Sequence, residues 1–237
     1  MLPGLYFGIG KKARDLLYKG YAQQPPGHFH DCSLKLSCQI GDILPGLRTL
    51  FKLDIPDSAK VELQYLQDYA GITGGFRLKG NPFAGYNPLI CLSGIIGSNF
   101  LSLGTDLAID ITTRTLDQYN AGLSFNSDFL IASINLDDKL DSWKASCSCV
   151  VNPPTDTAIA MELKHTFSVN DTAITIGCQH AFFPFTLAKA RLNTHGKAGA
   201  LVQQELWQKL VLTFAGEVDF MDIKRIPKIG LSMAFRI

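Results

Sequence analysis

Ala59–Asp68 reads Ala-Lys-Val-Glu-Leu-Gln-Tyr-Leu-Gln-Asp. Val61, Leu63 and Tyr65 alternate with Lys60, Glu62 and Gln64, so an extended chain puts the apolar side chains on one face and the polar ones on the other. The same period of two recurs in both directions. Upstream, Cys32, Leu34, Leu36, Cys38 and Ile40 oppose Ser33, Lys35, Ser37 and Gln39. Downstream, Leu210, Leu212, Phe214 and Val218 alternate with Lys209, Thr213, Glu217 and Asp219. At the end, Ile229, Leu231, Met233, Phe235 and Ile237 face away from Lys228, Gly230, Ser232 and Arg236. Turn signals separate such stretches: Pro56–Asp57–Ser58, Asn81–Pro82, Asp137–Asp138, Asn152–Pro153–Pro154, Asn170–Asp171, Pro184 and Pro227.

The pattern predicts an all-β chain of about fifteen strands of roughly ten residues each, joined by short turns. That length suits a tilted membrane strand of about 9–11 residues better than a globular strand of about 5–6. A soluble sandwich is the alternative. It needs strands buried on both faces and longer crossovers, whereas nearly every strand here has one apolar and one polar face, as an up-and-down antiparallel barrel requires.

Composition narrows the classes further. Of the 237 residues, 46% are apolar, yet no unbroken apolar run reaches the roughly 18 residues of a membrane-spanning helix. Leu89–Gly97 and Phe129–Leu136 are strand-sized. Helical spanning is excluded; barrel spanning is not, because barrel strands turn only alternate residues to lipid. The net charge is +1 and no basic block marks a nucleic-acid footprint. The N-terminus does not read as a secretory signal. The six cysteines form no zinc-type pairs and are expected as reduced thiols, which leaves the Asn170–Asp171–Thr172 sequon without a role.

Residues 1–20 differ from the rest. Leu5, Ile9, Ala13 and Leu16 recur at helical spacing with Leu17 beside them, and Lys11, Lys12, Arg14, Asp15 and Lys19 fill the other side. The reading is an amphipathic helix over 1–20, a hinge or linker over 21–30 around Pro25–Pro26–Gly27, and a barrel over 31–237.

Enzymatic and metal-binding motifs fare poorly, and no enzyme, cofactor or metal site is expected. Gly8–Ile9–Gly10–Lys11–Lys12–Ala13 loosely fits a dinucleotide fingerprint, but no strand fits in the residues before it. Cys147 and Cys149 share the apolar face and read as small lipid-facing side chains. His28 and His30 fall in the linker. Ser, His and Asp show no nucleophile elbow.

Several stretches resemble the voltage-dependent anion channel family, the mitochondrial outer-membrane porins, and its plant branch in particular. Gly4–Leu5–Tyr6 and Ile9 through Tyr18 are similar to the family's N-terminal helix. Lys60 through Gly71 is similar almost residue for residue, and Asn120–Phe125, Lys189–Arg191, Gly196–Glu205 and Lys228–Leu231 also match. The resemblance implies a voltage-gated, anion-preferring barrel for metabolites and ions in the mitochondrial outer membrane. It also leaves room for a related protein-import pore or a truncated, non-conducting homologue acting through interactions.

On that reading Lys11, Lys12, Arg14, Lys19, Lys60, Lys164, Lys189 and Arg191 line the pore and set its selectivity, since a positive lumen concentrates anions. Gly46–Leu47–Arg48 stands where the family has a Gly-Leu-Lys motif linked with nucleotide contact; arginine keeps the charge and changes the donor geometry. Lys228, Gly230, Met233 and Phe235 resemble the insertion signal read by the outer-membrane assembly machinery. Implied partners are membrane lipid, permeating anions and nucleotides, that machinery and, as an option, further copies of the chain; nucleic acid enters only as a permeant. The helix and the Gly46–Leu47–Arg48 motif stand close together here, where the family's gap holds further strands. About four of the family's nineteen strands are missing. An odd count of fifteen would close with its first and last strands parallel.

Overall fold

The computed structural model describes residues 5–21, 34–44, 47–55, 58–81, 85–182, 185–206, 210–221 and 227–235. The linker around Pro25–Pro26–Gly27, with His28 and His30, lies outside them, as do Gly46 and Arg236. The described chain forms a 15-stranded sheet in which the strands follow one another in sequence order. No helix among the described residues is long and apolar enough to cross a membrane.

The chain divides into two compact units. One unit holds the first residues through Ile9 and the strands β1 (Leu34–Leu44), β2 (Leu47–Ile55), β3 (Ser58–Gln67), β4 (Ala70–Asn81), β5 (Gly85–Gly97), β6 (Leu101–Asp110) and β7 (Thr115–Asn126). Each of these pairs antiparallel with the next, as in Lys60↔Arg77 between β3 and β4. β8 (Leu130–Asp137) and β9 (Ser142–Asn152) contribute residues to both units. The second unit continues with β10 (Thr157–Thr166), β11 (Asp171–Phe182), β12 (Thr186–Asn193), β13 (Lys197–Leu206), β14 (Leu210–Asp219) and β15 (Lys228–Phe235), again antiparallel neighbours throughout.

Strand lengths run from 8 residues in β12 to 13 in β5. The turns are short and chemically specified. Asp110 Oδ1 accepts the amides of Thr112 and Thr113 at 2.7 and 3.3 Å, closing the β6–β7 turn as an Asx-type bend. Gly97 takes φ +149°, and a Cβ there would meet the Leu101 carbonyl oxygen, so the β5–β6 turn requires glycine.

The faces follow the alternation, with burial inverted relative to a water-soluble protein. In β6, Leu101, Leu103 and Ile109 are exposed, while Ser102, Asp106 and Ala108 are buried. Leu103 is 58% exposed and Asp106 only 8%. The same holds in β3, where Val61, Leu63 and Tyr65 are exposed and Glu62 is buried. A continuous apolar surface of this kind demands an apolar surrounding phase.

The N-terminal segment is helical in two pieces. A 3-10 turn spans Tyr6–Gly8 and the helix α1 spans Lys11–Tyr18. The sequence reading of one helix over 1–20 overlooked Gly10, which takes the left-handed conformation at φ 65° and breaks the run at the helix N-cap.

Candidate functional site

The candidate site has a part in each unit, where a piece of the N-terminal segment packs on the polar strand face of that unit. In the first unit, the Tyr6–Gly8 turn touches β5 and β6. Small inward residues make room for it. A Cβ at Gly104 would lie 2.8 Å from the Tyr6 ring, and one at Gly122 would lie 3.2 Å from Ile9. Lys60 sits 5.0 Å from the Phe7 ring centroid and pairs with Glu62. Asp106 and Asn120 are buried on the same face.

In the second unit, α1 packs on β10, β11 and β12. Ala13, Leu16 and Leu17 form a buried cluster with Ala158 and Ala160. The wall beneath is made of small residues, and a Cβ at Gly177 would come within 2.7 Å of Leu17. Tyr21 continues the contact onto Leu201 and Ala215. On the opposite, exposed face of the same strands, Cys178, Ala190, Ala200 and Gly216 stand in direct register, leaving a shallow apolar hollow of about 680 Å³. The wall is therefore thin where the helix leans on it.

Polar contacts fix the helix end. The last carbonyls of any helix lack partners within it, and the last turn of α1 contains no basic side chain of its own. Two strand cations serve instead. Lys189 Nζ donates at 3.1 Å to the Asp15 carbonyl, which also accepts the Lys19 amide at 3.3 Å, and Arg191 Nη1 donates to the Leu17 carbonyl at 3.0 Å. Cations at this end are favoured by the helix dipole, by about 0.3–1 kcal/mol at exposed positions and up to ~2 when partly buried. Arg191 also pairs with Glu217 Oε2 at 2.5 Å and lies 5.5 and 4.3 Å from the Tyr18 and Tyr21 ring centroids. Tyr18 donates its hydroxyl to Glu162 at 2.6 Å. Burial pushes both phenols up to about 12, and for Tyr18 the Glu162 bond acts the same way, so Tyr18 stays a neutral donor at physiological pH, while the buried Tyr21 hydroxyl has no hydrogen-bond partner among the described residues.

The cations named from the sequence thus fall into three groups. Lys11, Lys12, Arg14 and Lys19 are exposed on α1 and its C-cap. Lys60 and Arg191 are half-buried and ion-paired, and Lys189 is half-buried against the helix end. Lys164 is half-buried on β10, on the same strand face as Glu162.

Arg48 is exposed near the start of β2, opposite Gly41 and Gln64, beside Leu47. Lys228 opposes Glu217, Gly230 opposes Ala215, Met233 is exposed opposite Leu212, and Phe235 opposes Leu210 with its side chain outside the described residues. Cys147 and Cys149 are half-buried on the face of β9 that carries Trp143 and Val151. The sequence reading missed Tyr18, Tyr21 and Glu162 as contacts at the helix end. It also missed the small residues under α1, whose only signal was Gly and Ala at alternate positions of the polar faces.

Residues 29–230 match the eukaryotic porin family. The mitochondrial outer membrane protein porin of 36 kDa from Solanum tuberosum is 40% identical, with 99% of this chain and 98% of that protein covered. Mitochondrial outer membrane protein porin 1 of Arabidopsis thaliana is 38% identical at the same coverage, and the outer plastidial membrane protein porin of Pisum sativum is 34% identical. The first of these alignments runs over 277 positions against 237 residues, so at least forty of its positions have no counterpart here. Among solved structures, a mutant of the Rh. blastica porin superposes with a TM-score of 0.57 at 9% identity, covering 84% of this chain and 87% of that one, which shows a shared porin fold.

Proposed function

This chain belongs to the eukaryotic porin family, a family of channels rather than enzymes, and from that premise we propose that it is a voltage-gated, anion-preferring pore for small metabolites and ions in the mitochondrial outer membrane. The observation that carries the reading is the inverted burial, clearest in β3 and β6: exposed apolar side chains on one strand face and buried Glu62, Ser102 and Asp106 on the other. Lipid takes the first face, and the second lines an aqueous path. The names of the potato, wheat and Arabidopsis relatives support the mitochondrial outer membrane.

Anion preference rests on the N-terminal segment, where Lys11, Lys12, Arg14 and Lys19 outnumber Asp15. On the strands, Glu62 and Glu217 neutralise much of what Lys60 and Arg191 offer. Arg48, exposed on β2, is the residue we assign to nucleotide contact beside Gly46 and Leu47. The assembly machinery and further copies of the chain are partners on the same reading.

Planar-bilayer recording in asymmetric KCl tests the proposal. The expected reversal potential has the sign of anion preference; the opposite sign would sink the charge argument. The forty or more positions without counterpart favour a second reading, a non-conducting homologue. Absence of current from protein shown to be inserted selects that one.

A further inference from the structure

We propose that Arg191 is a latch, with Lys189 beside it on β12: together they cap the C-terminal end of the N-terminal helix in trans, and release of that cap frees the helix from the wall. The proposal depends on the channel reading only for its effect on current.

The geometry has three parts. The helix is short at eight residues and has no basic side chain in its last turn; the one cation that follows, Lys19 at the C-cap, is exposed. Lys189 and Arg191 sit two residues apart on β12, which puts them on one strand face about one helical turn's reach apart, and they take the Asp15 and Leu17 carbonyls respectively. Arg191 is held in place from the other side by Glu217 on β14 and from above by the Tyr21 ring. Its guanidinium therefore lies between two negative ends, a carboxylate and a helix terminus. A planar fork with several donors suits this bridging role, which an ammonium fills only in part.

The arrangement predicts an asymmetry between variants. Arg191→Ala leaves the Glu217 carboxylate facing the helix carbonyls with nothing between them, so the helix is repelled as well as unbound. Arg191→Ala combined with Glu217→Ala removes both the latch and the repulsion, and docking recovers in part. Arg191→Lys retains the charge with one fewer simultaneous contact, and lies between wild type and Arg191→Ala.

Helix docking is read without any current by trypsin trimming of the folded protein in detergent micelles, followed by intact mass. The cleavable bonds after Lys11, Lys12, Arg14 and Lys19 all lie in the segment. Circular dichroism of each variant checks that the strands are intact. The expected result is N-terminal cleavage about tenfold or more faster in Arg191→Ala, smaller increases in Arg191→Lys and Lys189→Ala, and a return toward wild type in the Arg191→Ala/Glu217→Ala pair. Equal rates in all four overturn the latch. Should Arg191→Ala not fold, unchanged trimming in both Arg191→Lys and Lys189→Ala overturns it equally. Faster trimming in a protein that passes no current upholds the latch and overturns the channel reading. In a conducting protein, Arg191→Ala is expected to shift the voltage at half-closure, which a purely structural arginine would leave unmoved.

Discussion

Tyr18 joins the helix to the wall through one short hydrogen bond, from its hydroxyl to Glu162. Replacing it with phenylalanine keeps the ring over Arg191 and removes the donor, leaving a half-buried carboxylate without that partner. Loss of a hydrogen bond to a charged group costs about 1.5–3 kcal/mol. Tyr18→Phe is therefore expected to lower the thermal midpoint in detergent and to speed N-terminal trimming, but less than Arg191→Ala. An unchanged midpoint with unchanged trimming would show the bond to be idle. The strand face of the named cations was legible. Lys60, Lys164, Lys189 and Arg191 all fall on polar strand faces, as their place in the alternation requires. What alternation does not encode is the partner. Lys189 and Arg191 bond carbonyls 174 residues away in sequence, and no spacing rule links a strand cation to a helix end at that separation. A residue read as a free lining charge is for the same reason indistinguishable, in sequence, from one engaged in a cap.

At the scale of elements, period two located the strands because one face is apolar and the other polar along most of their length. The N-terminal segment was harder. Its apolar spacing runs through Ile9 and Ala13 without interruption, yet Gly10 adopts a left-handed conformation and divides a 3-10 turn from α1. The break separates two sets of contacts: Tyr6 and Ile9 with β6 and β7, and Leu16 and Leu17 with the strands under α1. If the segment is the voltage-sensitive part, removing residues 1–20 is expected to abolish closure at high voltage while the strands still insert. Moving one elementary charge through the field is worth about 2.3 kcal/mol per 100 mV, and the segment carries Lys11, Lys12, Arg14 and Lys19 against Asp15. Partial movement of that surplus suffices for a visible response, and closure that survives the deletion would place the sensor elsewhere. The other element with a stated role is β15. Its outward residues Ile229, Leu231 and Met233 are well exposed, at 84, 65 and 57%. Replacing Gly230 and Phe235 together is expected to block assembly into isolated mitochondria, scored by carbonate-resistant membrane protein. Normal assembly of the double variant would remove the insertion-signal reading.

At the scale of the whole molecule, strand number governs what a barrel can pass. Diameter grows roughly linearly with the number of strands, so a closed barrel of fifteen strands would be about four-fifths as wide as a nineteen-stranded mitochondrial porin. The positions of the potato relative without counterpart in this chain number at least forty, which is enough for about four strands of the length seen here. An unpaired strand edge in hydrocarbon leaves backbone groups unsatisfied at several kcal/mol each, so a membrane-embedded sheet is expected to close on itself or on another chain. If fifteen strands close on themselves, the odd count makes the first and last strands parallel. If the N-terminal segment lies in the lumen, a narrower lumen loses a larger share of its cross-section to it, because the segment's size does not scale with the barrel. Single-channel conductance in symmetric 1 M KCl is therefore expected to fall below that of the potato porin by more than the ratio of squared diameters, roughly two-thirds. Deleting residues 1–20 is expected to raise the smaller channel's conductance by the larger factor. Equal conductance of the two intact proteins would mean that the missing strands are replaced, by a second copy or another chain completing the wall. A deletion with no effect on current would mean that the segment lies outside the conducting path.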